Sequence, residues 1–252
     1  MALILAMVNQ KGGVGKTTTA VNLTAALTAL GKKVLLCDFD PQANATSGMG
    51  VDKGKGVTSY DLVINDRKAE EAVVHTEFGD VIPSSPALSG AGVELVGSAN
   101  REFALSRVLE PVRDSYDLIL IDCPPSLELL TLNALCAADG IFVPVQCEYY
   151  ALEGLSDLMA TLRAVKRSLN PTLYLFGVLL TMFDSRTNFS AQVAEEVRRH
   201  FPGKVFATAI PRNVRLSEAP SHGLPVRAYD KYSRGAAAYE ALAGEIMEKE
   251  AF

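Results

Sequence analysis

The chain has 252 residues, 48% hydrophobic and 21% charged, with a formal net charge of -5. This length and balance fit one domain spanning 1–252 with a substantial core, and they exclude a disordered chain. No apolar run reaches about 18 residues, which excludes a membrane-spanning helix, and the short apolar start from Ala2 to Val8 does not read as a signal peptide.

Apolar runs of strand length alternate with stretches of helix length. Leu3–Val8 reads as a strand and Lys16–Leu30 as a helix, with Ala20, Leu23, Leu27 and Leu30 on one face and Gly31 as its stop. Lys33–Phe39 is a second strand, continuously apolar as expected when both sheet faces are covered. Residues 44–100 carry many glycines, serines and prolines, and predict short elements and loops. Regular alternation then returns. Helices are expected over 101–113, 127–137, 152–169, 189–200 and 236–250; strands are expected over 116–121, 140–145, 173–182 and 205–207. Repeated strand–helix units predict an α/β fold, a mostly parallel twisted sheet flanked by helices on both faces.

The strongest local signal is Lys11-Gly12-Gly13-Val14-Gly15-Lys16-Thr17-Thr18, placed between a predicted strand and a predicted helix. In a P-loop, glycines let successive backbone N–H groups turn inward onto phosphate oxygens, and the helix N-terminus adds positive potential. Lys16 then supplies charge to the β- and γ-phosphates, and the Thr17 hydroxyl is placed for Mg²⁺. The first glycine of the common pattern is replaced by Gln10.

Acidic residues lie at the ends of two predicted strands. Asp38 and Asp40 lie in Asp38-Phe39-Asp40-Pro41-Gln42, and Asp122 closes Leu118-Ile119-Leu120-Ile121. Ligands of open α/β sheets sit at the carboxyl ends of strands, so all three acids are expected to face the phosphates. Asp122 would hold Mg²⁺ through water, Asp38 would act around Thr17 and the metal, and Asp40 is the best candidate to orient the attacking water. His75, His200 and His222 have no motif around them. Cys37, Cys123, Cys136 and Cys147 show no CxxC spacing; Cys37, Cys123 and Cys147, in or beside apolar strand-like runs, read as buried reduced thiols, which suits a cytosolic protein.

The Lys-Gly-Gly-x-Gly-Lys-Thr loop resembles the deviant P-loop of the ParA/MinD group. Further strings are similar to the ParA/Soj family of DNA-segregation ATPases: Asp40-Pro41-Gln42-Ala43-Asn44, Asp122-Cys123-Pro124-Pro125-Ser126, residues 144–155, and residues 210–221. The resemblance implies an ATP- and Mg²⁺-dependent ATPase in which Lys11, Lys16 and Asp40 are catalytic. It implies that Lys11 reaches the partner's phosphates in an ATP-bound homodimer, with Gly12 and Glu148 at that contact. It implies an adenine pocket formed by Met182, Pro211 and Asn213. The dimer would bind double-stranded DNA without sequence preference through Arg186 and Arg215, with Arg212 and Lys231 as weaker candidates. A ParB/Spo0J-type protein would stimulate hydrolysis. From Asp184 to Arg234 nine Lys/Arg face five Asp/Glu, a local +4 against -9 elsewhere, which permits a basic patch.

Three other readings share this loop. A MinD-like membrane ATPase needs a basic amphipathic C-terminal helix, whereas residues 245–252 are acidic. A cluster-bridging reductase needs paired thiols, and Cys123 has no evident mate. An ATP-gated scaffold for a non-DNA cargo would look nearly identical. No membrane partner is expected, and the location is cytoplasmic, on the nucleoid.

Overall fold

The computed structural model describes residues 1–148 and 151–249, without the side chains of 151–153. Eight strands form one sheet: β1 (Leu3–Met7), β2 (Val34–Asp38), β3 (Val74–Thr76), β4 (Gly79–Ile82), β5 (Leu118–Asp122), β6 (Gly140–Gln146), β7 (Tyr174–Phe183) and β8 (Val205–Pro211). Their order is β3-β4-β2-β5-β1-β6-β7-β8, parallel throughout except for the β3–β4 edge hairpin.

Helices cover both faces. The P-loop helix α1 (Lys16–Ala29) is followed by the short α2 (Asn44–Gly48), α3 (Ser59–Ile64), α4 (Ala69–Ala72) and α5 (Leu88–Glu94). Next come α6 (Ala104–Leu109), α7 (Leu129–Ala137), α8 (Ala151–Ser168) and α9 (Asn188–His200), then α10 (Val214–Glu218), α11 (Val226–Tyr229) and α12 (Arg234–Lys249). Strand alternation divides the core in two. Leu5, Met7, Leu36, Leu120 and Phe142 pack against Leu23 and Leu27 of α1 and Tyr239 and Leu242 of α12. Ile4, Ala6, Cys37, Ile121 and Ile141 pack the other way, with Leu62, Leu105, Ala134, Leu158 and Val197. Removing one such leucine would cost about 2–5 kcal/mol. One strand glycine has a packing reason. A Cβ on Gly177 would lie 2.5 Å from the Phe206 ring, which stacks on Phe142 at 4.9 Å between centroids.

The expected elements are present with shifted ends. The helix predicted over 101–113 is broken. Only Ala104–Leu109 is α-helical; 3₁₀ turns flank it, and Pro111 removes an amide donor just beyond its end. The region 44–100 holds four short helices and the β3–β4 hairpin. The last strand continues to Pro211, past the predicted Ala207. Tyr149, Tyr150 and residues 250–252 lie outside the described residues, and with them parts of the 144–155 string and of the acidic tail. Among the described residues, no helix is long and apolar enough to cross a membrane.

Candidate active site

The chain departs from β1 on both sides: through β2, β4 and β5 to one, then through β6, β7 and β8 to the other. The crevice left at the carboxyl ends of β1, β2 and β5 is where ligands of such sheets bind. The loop from Asn9 to Gly15 lies there. Asn9 donates its side-chain amide to Pro144 O at 2.8 Å and accepts from Lys11 N at 3.0 Å, starting the loop with an Asx turn. From below, Thr181 donates to Val14 O at 2.8 Å. Gly13 and Gly15 have φ of 76° and 90°, in the left-handed region that favours glycine. The loop is therefore a cradle of backbone amides held rigidly by its neighbours, ahead of the α1 N-terminus.

Lys16 is buried, 7% exposed, and its ammonium donates to Lys11 O at 3.3 Å. Burial lowers its pKa, while Asp122 opposes that shift. Lys11, by contrast, lies exposed on the rim and forms an ion pair with Glu148 of the same chain. That pair is partly exposed, so it is worth about 0–1 kcal/mol and is readily exchanged.

Asp38 and Asp122 are in register on adjacent strands, with Met7 of β1 next in the same row. Met7 faces α1, so both carboxylates do too. Cys37 packs in the cluster on the opposite face, and Cys123 packs there too. All four cysteines are buried and free. The two acids differ in their partners. Asp38 is fully buried and its oxygens are engaged: Oδ2 accepts from the Thr46 amide and hydroxyl, both at 2.7 Å, and Oδ1 from Asp40 N at 3.2 Å. Burial pushes its pKa up to about 6 against those hydrogen bonds. Asp122 is equally buried, and neither of its oxygens has a well-formed hydrogen bond; the Thr17 hydroxyl is near enough to favour the carboxylate without completing one. Burial first, and Asp38 next, push Asp122 well above the usual carboxylate range. An unpartnered buried carboxylate is costly unless a cation or its bound water completes it. The donor set of Thr17 hydroxyl, Asp122 and amide cradle thus fits a triphosphate with a hard divalent cation. Asp40, 8% exposed, follows β2 in a tight turn in which its Oδ1 accepts from Gln42 N at 2.9 Å.

Beside the loop opens a cavity of about 590 Å³, lined among others by Thr17, Thr18, Asn22, Met182, Pro211 and Asn213. All three residues expected at adenine are present in its wall. Met182 has φ 51°, uncommon for a non-glycine residue and the kind of strain that clusters at ligand sites. Asn22, which sequence reasoning missed, braces the far wall by accepting from Val226 N at 2.7 Å. Asn44, Ser47 and Gly48 of α2 line the same cavity.

The arginines expected at DNA are on the surface, but differently engaged. Arg186 forks onto Asp184 at 2.8 and 2.9 Å, and Arg215 pairs with Glu218 at 2.8 Å and Asp230 at 3.2 Å. Arg212 and Lys231 make no salt bridge among the described residues; Lys231 lies 4.9 Å from the Tyr232 ring, itself 87% exposed. Arg212 and Arg186 line a notch of about 270 Å³ together with Arg234, a basic residue the sequence did not single out. Charge counts could not show which arginines already hold a carboxylate.

A parallel sheet with a glycine cradle, a buried lysine and an in-register acid at its carboxyl edge defines a P-loop ATPase. A family model described as an AAA domain matches residues 2–175. The chain is 56% identical to the sporulation initiation inhibitor protein Soj of Bacillus subtilis, over 98% of both chains. It is 53% identical to the chromosome partitioning protein ParA of Myxococcus xanthus, over 98% of this chain and 88% of that one. A crystal structure of cobyrinic acid a,c-diamide synthase from Mycobacterium smegmatis, with bound ATP analogue and magnesium, is 38% identical with a TM-score of 0.88, over 98% of this chain and 95% of that one. The chain belongs to the ParA/Soj family of chromosome-partitioning ATPases.

Proposed function

We propose that this chain is a DNA-segregation ATPase whose nucleotide state sets its state of assembly. ATP lies in the cradle and the 590 Å³ cavity, with its base against Met182, Pro211 and Asn213 and its phosphates against the amides of residues 12–18. Lys16 leaves Lys11 O to meet the β- and γ-phosphates. Thr17, and Asp122 through water, hold Mg²⁺, with Asp38 behind them. Mg²⁺, when bound, neutralises charge on the phosphate oxygens and so lowers the barrier to transfer. Asp40 orients the attacking water. The observation that carries the nucleotide reading is the Asp122 carboxylate, buried at the foot of the cradle with neither oxygen satisfied.

Lys11 supports self-association. A solvent-exposed lysine on the rim of the loop, held only by a weak ion pair to Glu148, is free to exchange onto the phosphates of a second copy. Gly12 is part of the same contact, and a Cβ there meets nothing within 4 Å in one chain. The dimer binds DNA phosphates without sequence preference through Arg212 and Lys231, joined by Arg186 and Arg215 once these leave their carboxylates. DNA binding puts the single-domain chain, 1–252, on the nucleoid in the cytoplasm, and a ParB/Spo0J-type protein accelerates hydrolysis and so releases it. Identity above 50% to Soj and ParA proteins over nearly the full chain favours DNA over other cargo. The test is steady-state ATPase activity with DNA and a ParB-type protein, added singly and together. Synergistic stimulation supports the reading, and a rate indifferent to both contradicts it.

A further inference from the structure

The buried hydrogen bonds of Asp38 continue beyond it. The Thr46 hydroxyl donates to Asp38 Oδ2 at 2.7 Å and accepts from the Ser84 amide, just beyond β4, at 2.9 Å. The Thr46 amide donates to the same Oδ2, and Asp38 Oδ1 receives the Asp40 amide. Asp38, Thr46 and Ser84 are all fully buried, so every link is shielded from water. Thr46 lies in α2, whose Asn44, Ser47 and Gly48 line the nucleotide cavity, and α2 is clamped on α1: a Cβ on Gly48 would meet Val21 at 3.0 Å. One hydroxyl thus joins the wall that touches the nucleotide to the turn that carries Asp40.

We infer that Thr46 is a positioning residue for hydrolysis: its hydroxyl, bridging Ser84 N–H and the Asp38 carboxylate, fixes the backbone from which Asp40 orients the water. Thr46 is not part of the cavity lining and acts through Asp38. Removing it frees no space and alters no cavity-lining atom, so binding should persist while the catalytic geometry loosens. A displacement of a fraction of an ångström at a reacting group is enough to slow the chemistry severely.

The inference rests on the assignment of Asp40, and the experiment separates the two. Thr46→Val preserves shape and the residue's own amide but leaves Asp38 Oδ2 with one donor and Ser84 N–H with no acceptor. Thr46→Ser keeps the hydroxyl. Asp40→Ala is measured alongside, and each variant is tested for equilibrium ATP binding with Mg²⁺ and for kcat and KM. Expected are a fall in kcat of about tenfold or more for Thr46→Val, an ATP affinity within about threefold of the parent, and recovery of most of the rate in Thr46→Ser. Thr46→Cys, with a weaker donor, should fall between the two and replaces Thr46→Val if that variant does not fold. Parental turnover in Thr46→Val while Asp40→Ala is inactive overturns the role of Thr46, as do equally slow Val and Ser variants or an affinity that falls with the rate. Parental turnover in Asp40→Ala instead overturns the assignment of Asp40.

Discussion

Replacing Asp122 by Asn should stabilise the ligand-free protein while destroying its use of Mg²⁺. Two in-register carboxylates, Asp38 and Asp122, are fully buried side by side, and one of them has no hydrogen-bond partner. Burial raises Asp38 from its usual 3.8 to about 6, and Asp122 shifts in the same direction. A raised carboxylate pKa means that the folded state binds more protons than the unfolded one between those values. Stability is therefore fully present below about pH 4 and falls as pH rises through about 6. For Asp38 alone that difference corresponds to about 3 kcal/mol. Asp122→Asn removes a buried charge that has no hydrogen-bond partner; an unsatisfied buried group costs about 1–3 kcal/mol, so the variant should gain on that order at pH 7.5, or about 2–12 °C in Tm. Asp184, Glu71 and Glu218 are held below their ordinary range by hydrogen bonds from arginines, and their contribution is lost only as pH falls below about 4, outside this window. The assay is thermal unfolding of both proteins without nucleotide from pH 5 to pH 8. The variant should be the more stable at pH 7.5, with the gap closing toward pH 5. Parallel curves, or a less stable variant at pH 7.5, would refute the claim that burying the two carboxylates side by side destabilises the ligand-free protein.

Lys16→Ala should weaken ATP binding by at least about tenfold, since it deletes the buried cation of the glycine loop; calorimetric titration checks this. Gly12→Val should fold and bind ATP normally, because its Cβ has open space and its φ is unstrained, yet lose ATP-driven self-association in gel filtration. Arg215→Glu should retain that association and lose DNA retention, leaving Glu218 and Asp230 without their cation; filter binding against salt concentration would show the loss.

Much of the catalytic edge was legible because its chemistry forces a local pattern. The glycine-rich loop needs left-handed backbone at Gly13 and Gly15, and an apolar strand ending in an acid needs only alternation to aim Asp122 at α1. The helix expected over 101–113 is α-helical only from Ala104 to Leu109, and Pro111, a local signal in the sequence, accounts for its early C-terminal end. Thr181 and Thr46 were illegible for a different reason. Each acts through a contact distant in sequence, 167 residues to Val14 and 38 residues to Ser84, and a lone threonine carries no trace of its partner. The surface arginines show the same limit. Arg186 meets Asp184 two residues away, but Arg215 finds Asp230 only because α10 and α11 fold together.

The account turns on coupling between bound nucleotide and pairing of two chains. Sedimentation velocity of Asp40→Ala with Mg²⁺ and either ATP or ADP tests it most directly, because slow turnover then holds the triphosphate in place. A species of about twice the monomer mass with ATP and a monomer with ADP is the predicted result. A monomer in both nucleotides, with ATP shown to be bound, would contradict it.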